Sequence, residues 1–395
     1  MLGWYGVVKC KTPHRFEINY SIYFSHMKDS TKLSHISIPV KVLFLVPYPL
    51  GEAPSQRFRF EQYLDLLQSR GIQYVIQPFL SNSNWRVFYH EGNYYRKAAA
   101  LLTGFLRRIR AIAIARRFDF IFIHREAAPV GPPLVEWFLV VILRKKVIYD
   151  FDDAIWMTDR QDESFLSRLV KWRSKVGRIC AWSYKVSCGN FFLCSYALKF
   201  NRAVVFNPTT LDTSSIHLPS RKVSSDNSVV IGWTGSHSTL KYLRSVETVL
   251  KKLTAEYPEV TVRIIADRQI DLDITRLEFT LWRKETEIED LNQIDIGIMP
   301  LPDDEWSKGK CGFKALQYMA LEIPAVASAV GANLSIIEHG VNGYLVTTRD
   351  EWLKYLKVLI ENPELRRKLG AGGRQTVNQG FSVSANSTRF LGLFS

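Results

Sequence analysis

The sequence is poor in cysteine and contains no long apolar run. Five cysteines stand among 395 residues, none of them in a C-x-x-C pair, and a chain of this size needs no disulfides to hold its core. We therefore expect small core thiols in a reducing, cytoplasmic setting. The most apolar stretch, residues 132–143, contains Glu136 and is much shorter than the roughly twenty residues of a membrane-spanning helix. The first residues also lack the basic-then-apolar order of a secretory signal peptide.

Acidic residues are outnumbered by basic ones. There are 38 Asp and Glu against 52 Lys and Arg, which gives a formal net charge of +14. Such an excess suits nucleic acid, an anionic membrane surface or a phosphate-rich substrate. Because the sequence has no zinc-finger spacing, RNP string or long basic run, we expect no nucleic acid partner. A nucleic-acid-binding protein is the alternative that rests on charge alone.

Short apolar segments alternate with helical patterns from residue 41 onward. This alternation predicts an α/β protein with doubly wound parallel sheets. The predicted strands are 41–46, 74–79, 118–124, 146–151, 184–187 and 204–207, then 229–232, 260–266, 277–282, 294–299 and 325–328. Helical patterns include 57–70, 96–117, 240–257, 314–321, 332–338 and 349–369.

A polar, serine-rich break after Asn207 divides this alternation into two Rossmann-like domains. We predict an N-terminal extension of unknown structure at 1–39, a first domain at 40–210, a linker at 211–227 and a second domain at 228–380. Residues 381–395 form a tail, for which a return to the first domain is one option. Ligands of open α/β sheets bind at the carboxyl ends of the strands, so the cleft between the domains is the expected site.

The segment 307–320 is the richest in chemistry. Gly309 and Gly312 allow a tight turn before a helix, whose first N–H groups and dipole attract anions. Lys308, Lys310 and Lys314 add positive charge, so the loop suits a diphosphate. The alternative is a surface loop with solvated lysines.

Together with segments 323–331 and 340–343, this loop resembles the donor-binding half of the retaining GT-B glycosyltransferases, the glycosyl transferases group 1 family. The resemblance extends over about residues 41–381 and includes 189–190, 207–212 and 231–236. It implies two Rossmann-like domains that face each other across a cleft. It also implies transfer of a hexosyl group, with retention, from a nucleoside-diphosphate sugar to a hydroxyl acceptor, without metal or a further cofactor.

The resemblance also assigns roles in the second domain. The N–H groups of Gly312, Phe313 and Lys314 would bind the diphosphate and the Gln317 amide a ribose hydroxyl. Further donor-binding residues are Gly235, Ser236 and Lys241 near the phosphates, and Trp282 and Arg283 near the base. The catalytic residues would be His124, against the donor sugar, and Lys310, at the leaving group.

The sequence departs from the family pattern at three positions. The family carries two glutamates around this loop, and the corresponding residues here are Gly309 and Gln317. Trp233 stands where an arginine is often found. The missing first glutamate keeps a non-catalytic nucleotide-sugar-binding scaffold open as an alternative. A nucleotide-sugar epimerase, which shares the architecture, is another.

Four charged residues of the first domain are candidates for the acceptor side. Arg57 and Arg59 follow the first strand, and forked guanidinium groups suit phosphate or carboxylate. Asp152 and Asp153 follow a strand that ends near Asp150. The D-x-D pattern is also found in metal-dependent transferases. We expect no metal, because lysines and a helix start already suit the diphosphate, and interpret these acids as acceptor-orienting or helix-capping.

The helical pattern at 96–117 combines apolar residues with seven lysines and arginines. Such a helix can lie on an anionic membrane surface, on the cytoplasmic face if the acceptor is lipid-linked. The alternative is a helix packed on the sheet with a solvated basic face. A glycan or lipid-linked acceptor in cell-envelope polysaccharide or glycoconjugate synthesis would suit the first interpretation.

Overall fold

A computed structural model of the chain describes residues 39–89, 92–158, 171–220 and 228–395. The predicted N-terminal extension lies outside the described residues, apart from its last residue. The same holds for residues 221–227 of the predicted linker.

The first sheet has six parallel strands in the order β2-β1-β3-β4-β5-β6. Its central strands are apolar runs that are buried on both faces, as expected for a sheet covered by helices on both sides. The strands are β1 (Lys41–Val46), β2 (Gln73–Pro78), β3 (Phe120–His124), β4 (Lys146–Phe151), β5 (Lys185–Cys188) and β6 (Val204–Phe206).

The second sheet repeats this plan, with six parallel strands in the order β12-β11-β10-β7-β8-β9. The strands are β7 (Val229–Gly235), β8 (Val260–Ala266), β9 (Leu277–Leu281), β10 (Ile296–Met299), β11 (Ala325–Ser328) and β12 (Gly343–Val346). The edge strand β12 was not predicted, because it begins at Gly343 directly after the glycine- and asparagine-containing segment 340–342, which is typical of a turn.

The α-helices lie between the strands and after β12. They are α1 (Pro54–Arg57), α2 (Leu64–Ser69), α3 (Asn82–Tyr89), α4 (Tyr94–Ile114), α5 (Leu134–Trp137), α6 (Lys175–Trp182), α7 (Phe191–Ala197), α8 (His237–Leu240), α9 (Glu247–Glu256), α10 (Glu287–Leu291), α11 (Glu305–Lys308), α12 (Phe313–Ala320), α13 (Asn333–Ile336), α14 (Arg349–Glu361), α15 (Pro363–Thr376) and α16 (Val383–Leu391). Tighter or wider turns occur at Glu61–Tyr63, Ala115–Arg117, Phe138–Ile142, Lys241–Ser245, Val377–Phe381 and Gly392–Phe394.

Three predicted helices are not continuous: 349–369, 57–70 and 240–257, the last of which is interrupted by the tight turn Lys241–Ser245 before α9. The segment predicted as one helix at 349–369 is two, because Pro363 has no N–H to continue a helix and instead begins α15. The side chain of Asn362 caps that second helix by accepting from Leu365 N. The predicted helix 57–70 is likewise broken by the turn Glu61–Tyr63.

The last helix packs on the first sheet, although it follows the second sheet in the chain. Phe390 and Phe394 lie in one buried cluster with Phe44 of β1 and Phe122 of β3. The chain crosses between the two sheets twice, and the two crossing segments run side by side at Leu211. The Leu211 N–H donates to Phe381 O, and the Leu211 carbonyl accepts from Val383 N. The first sheet's core is therefore completed by the end of the chain.

Candidate functional site

A cavity of about 500 Å³ lies where the strand orders of both sheets reverse. The order reverses between β1 and β3 in the first sheet and between β7 and β10 in the second. Such points leave a crevice at the carboxyl ends of the strands. The lining includes residues just after or at those ends: Tyr48 after β1, Arg125 after β3, Gly235 of β7 and Met299 of β10.

One wall of the cavity is the start of α12. Gly312 is its N-cap residue and has φ 69°, a backbone conformation that favours glycine. A Cβ at Gly312 would also collide with Ile336 Cδ1. No side chain caps the first N–H groups of α12. These groups and the dipole of the eight-residue helix therefore remain available to an anion.

Lys314, in the first turn of α12, carries a charge without an acidic partner. Its ammonium lies 5.3 Å from the centre of the Trp233 ring, and no carboxylate in the described part of the chain pairs with it. Burial, and then the nearby charge of Lys310, lower the pKa of Lys314 to about 8. Trp233 itself is a core residue. The charged form of Lys314 is therefore destabilised in the empty site, and a bound anion would stabilise it.

Lys310 joins the two halves of the molecule. Its ammonium lies 3.0 Å from Asp153, and Arg125 lies 2.8 Å from Asp152 and 2.6 Å from Asp153. Burial alone would raise the pKa of Asp153, but Lys310 and Arg125 outweigh it and hold that pKa below its usual value. The charges of the first half thus position a lysine of the second.

Gly189 and Asn190, which are part of the family resemblance, also hold the loop that contains Gly309 and Gly312. The amide of Asn190 donates to the carbonyls of Lys308 (3.2 Å) and Lys310 (2.9 Å). Gly189 leaves room for Cys311, whose thiol donates to Asp152 O at 3.0 Å. The loop is therefore fixed from both sides of the cleft.

The structure explains the missing glutamate at Gly309. A Cβ on that residue would stand 2.6 Å from Ala154 Cβ, so a larger side chain does not fit while the loop rests on the first half. Sequence reasoning missed Glu287, which lines the cavity and accepts from the Gln317 amide at 3.2 Å. Glu287 is the first residue of α10, shortly after Trp282, and that position at a strand's carboxyl end was the available signal.

Arg59 and His124 lie beneath the cavity instead of lining it. Both side chains are fully buried against Asp150: Arg59 pairs with it, and His124 Nδ1 lies 2.8 Å from its Oδ2. Burial would raise the pKa of Asp150, but Arg59 and the His124 hydrogen bond hold it well below its usual value. Neither direct role, Arg59 on the acceptor or His124 on the donor sugar, agrees with this placement. The three side chains instead form a buried network below the carboxyl ends of the strands.

The remaining predicted residues divide into two groups. The cavity lining brings together Asp152, Asp153, Gly235, Ser236, Trp282, Lys310, Gly312, Phe313, Lys314 and Gln317. Lys241 and Arg283 are exposed and do not line the cavity. Arg57 stands at its border, 2.8 Å from Glu287.

The D-x-D carboxylates do not converge. Asp150 faces Arg59 and His124, whereas Asp152 and Asp153 face Arg125. Within residues 39–89, 92–158, 171–220 and 228–395, no three His, Cys, Asp or Glu side chains form a group that could hold a metal ion.

Comparison with known proteins gives a family for part of the chain. Residues 228–362 match the family model described as Glycosyl transferases group 1. The Xenopus tropicalis protein named Glycosyltransferase 1 domain-containing protein 1 is 26% identical over 115 residues, or 29% of this chain. That match spans only 33% of the relative's length.

Several solved structures share the fold over most of the chain. Anabaena HepE, crystallised with UDP and glucose, is 18% identical with a TM-score of 0.58, covering 90% of this chain and 99% of that one. Thermosynechococcus elongatus sucrose-phosphate synthase is 14% identical with a TM-score of 0.63, covering 90% and 98%. A Rickettsia africae glycosyltransferase is 13% identical with a TM-score of 0.65, covering 90% and 98%. The fold is GT-B, and the match to the Glycosyl transferases group 1 family lies in the second half of that fold.

Proposed function

We propose that the protein transfers a hexosyl group from a UDP-sugar to a hydroxyl acceptor. The observation that carries this proposal is Lys314, a cation without an acidic partner beside the uncapped start of α12. The negative charges of a diphosphate would balance the positive charge of Lys314 and the α12 N–H groups. The choice of UDP is supported by HepE, which shares the fold and was crystallised with UDP and with UDP-glucose.

The chemistry follows from where charge develops. As the glycosidic bond breaks, negative charge grows on the departing diphosphate, where the α12 N–H groups, Lys314 and Lys310 stabilise it. The acceptor hydroxyl gives its proton to the leaving phosphate oxygen as its own oxygen bonds the anomeric carbon from the same face. Configuration is then retained, and the two lysines take the place of a metal.

Among the residues that the structure describes, four of the five carboxylates that line the cavity are held by partner side chains, and the fifth, Glu52, is exposed to solvent. Asp152 and Asp153 are held by Arg125, and Asp267 lies 2.6 Å from His237. Glu287 is held by Arg57 and Gln317. A carboxylate held in an ion pair or by hydrogen bonds is a weaker nucleophile, so these four side chains do not favour a covalent glycosyl intermediate.

Recognition of the nucleoside falls to the other end of the cavity. Glu287 and Gln317 are adjacent and present oxygen atoms that can accept from ribose hydroxyls. Trp282 lines the same wall and offers a ring against the base.

On the acceptor side, Tyr48 and Trp85 form an aromatic pair with ring centres 4.7 Å apart, which suits a sugar of a polysaccharide or glycoconjugate.

Calorimetric titration with UDP, GDP and ADP, each with and without EDTA, tests the donor site. We expect EDTA-insensitive binding of UDP, weakened roughly tenfold or more in Lys314→Met and Lys310→Ala because each loses a charged hydrogen bond. Lys308→Met is the matched control, since Lys308 is paired with Asp303 and Glu305 at the surface. Affinity that survives Lys314→Met, or that requires a metal ion, would contradict the site.

Transfer itself needs a separate measurement. UDP-glucose is incubated with a panel of glycan and lipid-linked acceptors, and the anomeric configuration of any product is read by NMR. We expect transfer with retention. Binding of UDP without transfer to any acceptor would favour a scaffold, and an isomerised UDP-sugar without acceptor would favour an epimerase.

A further inference from the structure

The outer side of α4 carries an apolar stripe that the fold does not cover. Leu102, Leu106 and Ile109 are 63%, 56% and 63% exposed. Their spacing places them on one face of the helix, with Tyr95 about two turns before Leu102 on the same face. The buried residues of α4, including Ala100, Gly104 and Ala111, lie on the opposite face. The stripe is therefore not part of the core.

A second segment extends this surface. The helix α5 and the wide turn Phe138–Ile142 that continues it pack beside α4. Their exposed apolar residues are Leu134, Trp137, Val141 and Ile142. We call these four residues, with Tyr95, Leu102, Leu106 and Ile109, the outer apolar face. A surface of eight large exposed side chains on neighbouring segments marks an interaction site more often than a chance grouping does.

The charge around the outer apolar face has one sign. Residues 94–117 contain no Asp or Glu, and Glu136 on α5 is buried. The exposed basic residues beside the face are Arg96, Arg110, Arg116, Arg117 and Arg144. Two basic residues of α4 face inward: Arg107 is half-buried and donates to Phe79 O, and Arg108 is buried and donates to the carbonyls of Val46, Gln77 and Ala127. The remaining cations complement an anionic partner.

We propose that the outer apolar face docks on an anionic lipid bilayer, with α4 lying in the plane of its surface. Apolar side chains would enter the boundary between headgroups and acyl chains, while the arginines meet acidic headgroups. Trp137 and Tyr95 are residues favoured at that depth. No helix in the described part of the chain has both the length and the hydropathy to cross a bilayer, and this surface mode of attachment requires none.

The docking helix is close to the acceptor side of the cleft. Leu101 and Phe105 of α4 belong to the same apolar cluster as Tyr48 and Trp85, which line the cavity. A bilayer held against α4 would therefore bring lipid-linked hydroxyl groups to that end of the cavity. Docking does not depend on the proposed transfer, because its residues line no part of the cavity.

Flotation of the purified full chain with vesicles tests the proposal. The vesicles are phosphatidylcholine alone and equal parts of phosphatidylcholine and phosphatidylglycerol, at low and at high salt. We expect binding to the mixed vesicles at low salt, lowered roughly tenfold or more in Leu106→Glu and in Arg110→Glu. The matched controls are Val341→Glu, an exposed apolar residue elsewhere, and Lys252→Glu, an exposed lysine on α9. Both should bind like the unchanged protein.

Two further readouts keep the result interpretable. UDP binding by each variant should equal that of the unchanged protein, which shows that the fold is intact. Sedimentation without lipid shows whether the face is covered by a second copy of the chain. A dimer that Leu106→Glu dissociates, absence of binding to mixed vesicles, or an equal loss in the control variants would each overturn the proposal.

Discussion

Replacing Lys314 by methionine should weaken donor binding and, at neutral pH, stabilise the fold. The pKa of Lys314 falls from an ordinary 10.5 to about 8 because the ammonium is buried and lies near Lys310. At 1.36 kcal/mol for each pH unit, holding this charge in the empty site costs about 3 kcal/mol. Methionine keeps the length and apolar contact of the side chain without the charge, so the variant avoids this cost.

The sign of the pH dependence follows from the two pKa values. Between about pH 8 and 10.5 the unfolded chain keeps the Lys314 proton and the folded chain has lost it. The unfolded state then binds more protons, so the stability of the unchanged protein rises with pH across that window. Relative to Lys314→Met, the unchanged protein should gain about 2 kcal/mol between about pH 7 and pH 9.5.

Urea unfolding at the two pH values, followed by tryptophan fluorescence, measures this difference. Comparing the two proteins at each pH cancels other titrating groups, including Arg108, whose pKa burial lowers to about 9. Lys308→Met is the control and should show no such gain, since its partner Glu305 and the acid Asp303 raise the pKa of Lys308. A stability difference between Lys314→Met and the unchanged protein that is the same at both pH values would refute the reasoning.

Three other substitutions test separate parts of the site. Arg59→Ala should cost about 3–5 kcal/mol in urea unfolding because it leaves a buried carboxylate uncompensated, whereas Lys251→Ala, which breaks an exposed pair, should cost about 1 kcal/mol or less. Gly312→Ala should lower both stability and UDP affinity, since its φ is positive and its Cβ would collide; Gly340→Ala has the same strain without a collision and should leave UDP affinity unchanged. Glu287→Gln should weaken UDP binding in calorimetry by roughly tenfold while sparing the binding of inorganic diphosphate, and equal losses for both ligands would contradict a ribose contact.

The fold was largely predictable because its signals are local. Each central strand is a run of buried apolar residues, and eleven of the twelve strands were located from such runs. The errors have local causes too: β12 begins at Gly343 directly after a turn-like segment, and Asn362 with Pro363 forms a cap and a break inside one helical pattern. The order of strands within each sheet was not predicted, because it depends on which strands pair and no single segment contains that information.

The site was only partly predictable because it depends on distant pairs. The loop at Gly312 and the lysines around it were found from their own spacing, and Gly312, Lys310 and Lys314 line the cavity whereas Lys308 does not. The contact of Arg57 with Glu287 joins residues 230 positions apart, and that of Arg59 with Asp150 joins residues 91 apart. No periodicity reports such contacts. The sequence therefore placed His124 in the cleft, although its Nδ1 contacts Asp150 below the cleft.

The place of α16 also bears on how the molecule is made. As the ribosome releases the chain, residues 228–376 contain all strands of the second sheet and the helices α14 and α15 that complete its core, so this half can fold before α16 is made. In the first sheet, Phe44 and Phe122 lack their partners Phe390 and Phe394 until the whole second sheet has been synthesised. A nascent chain stalled before α16 would therefore display aromatic surface from its earlier half while its later half is already folded. The protein's vulnerability to aggregation during synthesis is thus greatest after the second sheet has formed and before α16 has emerged.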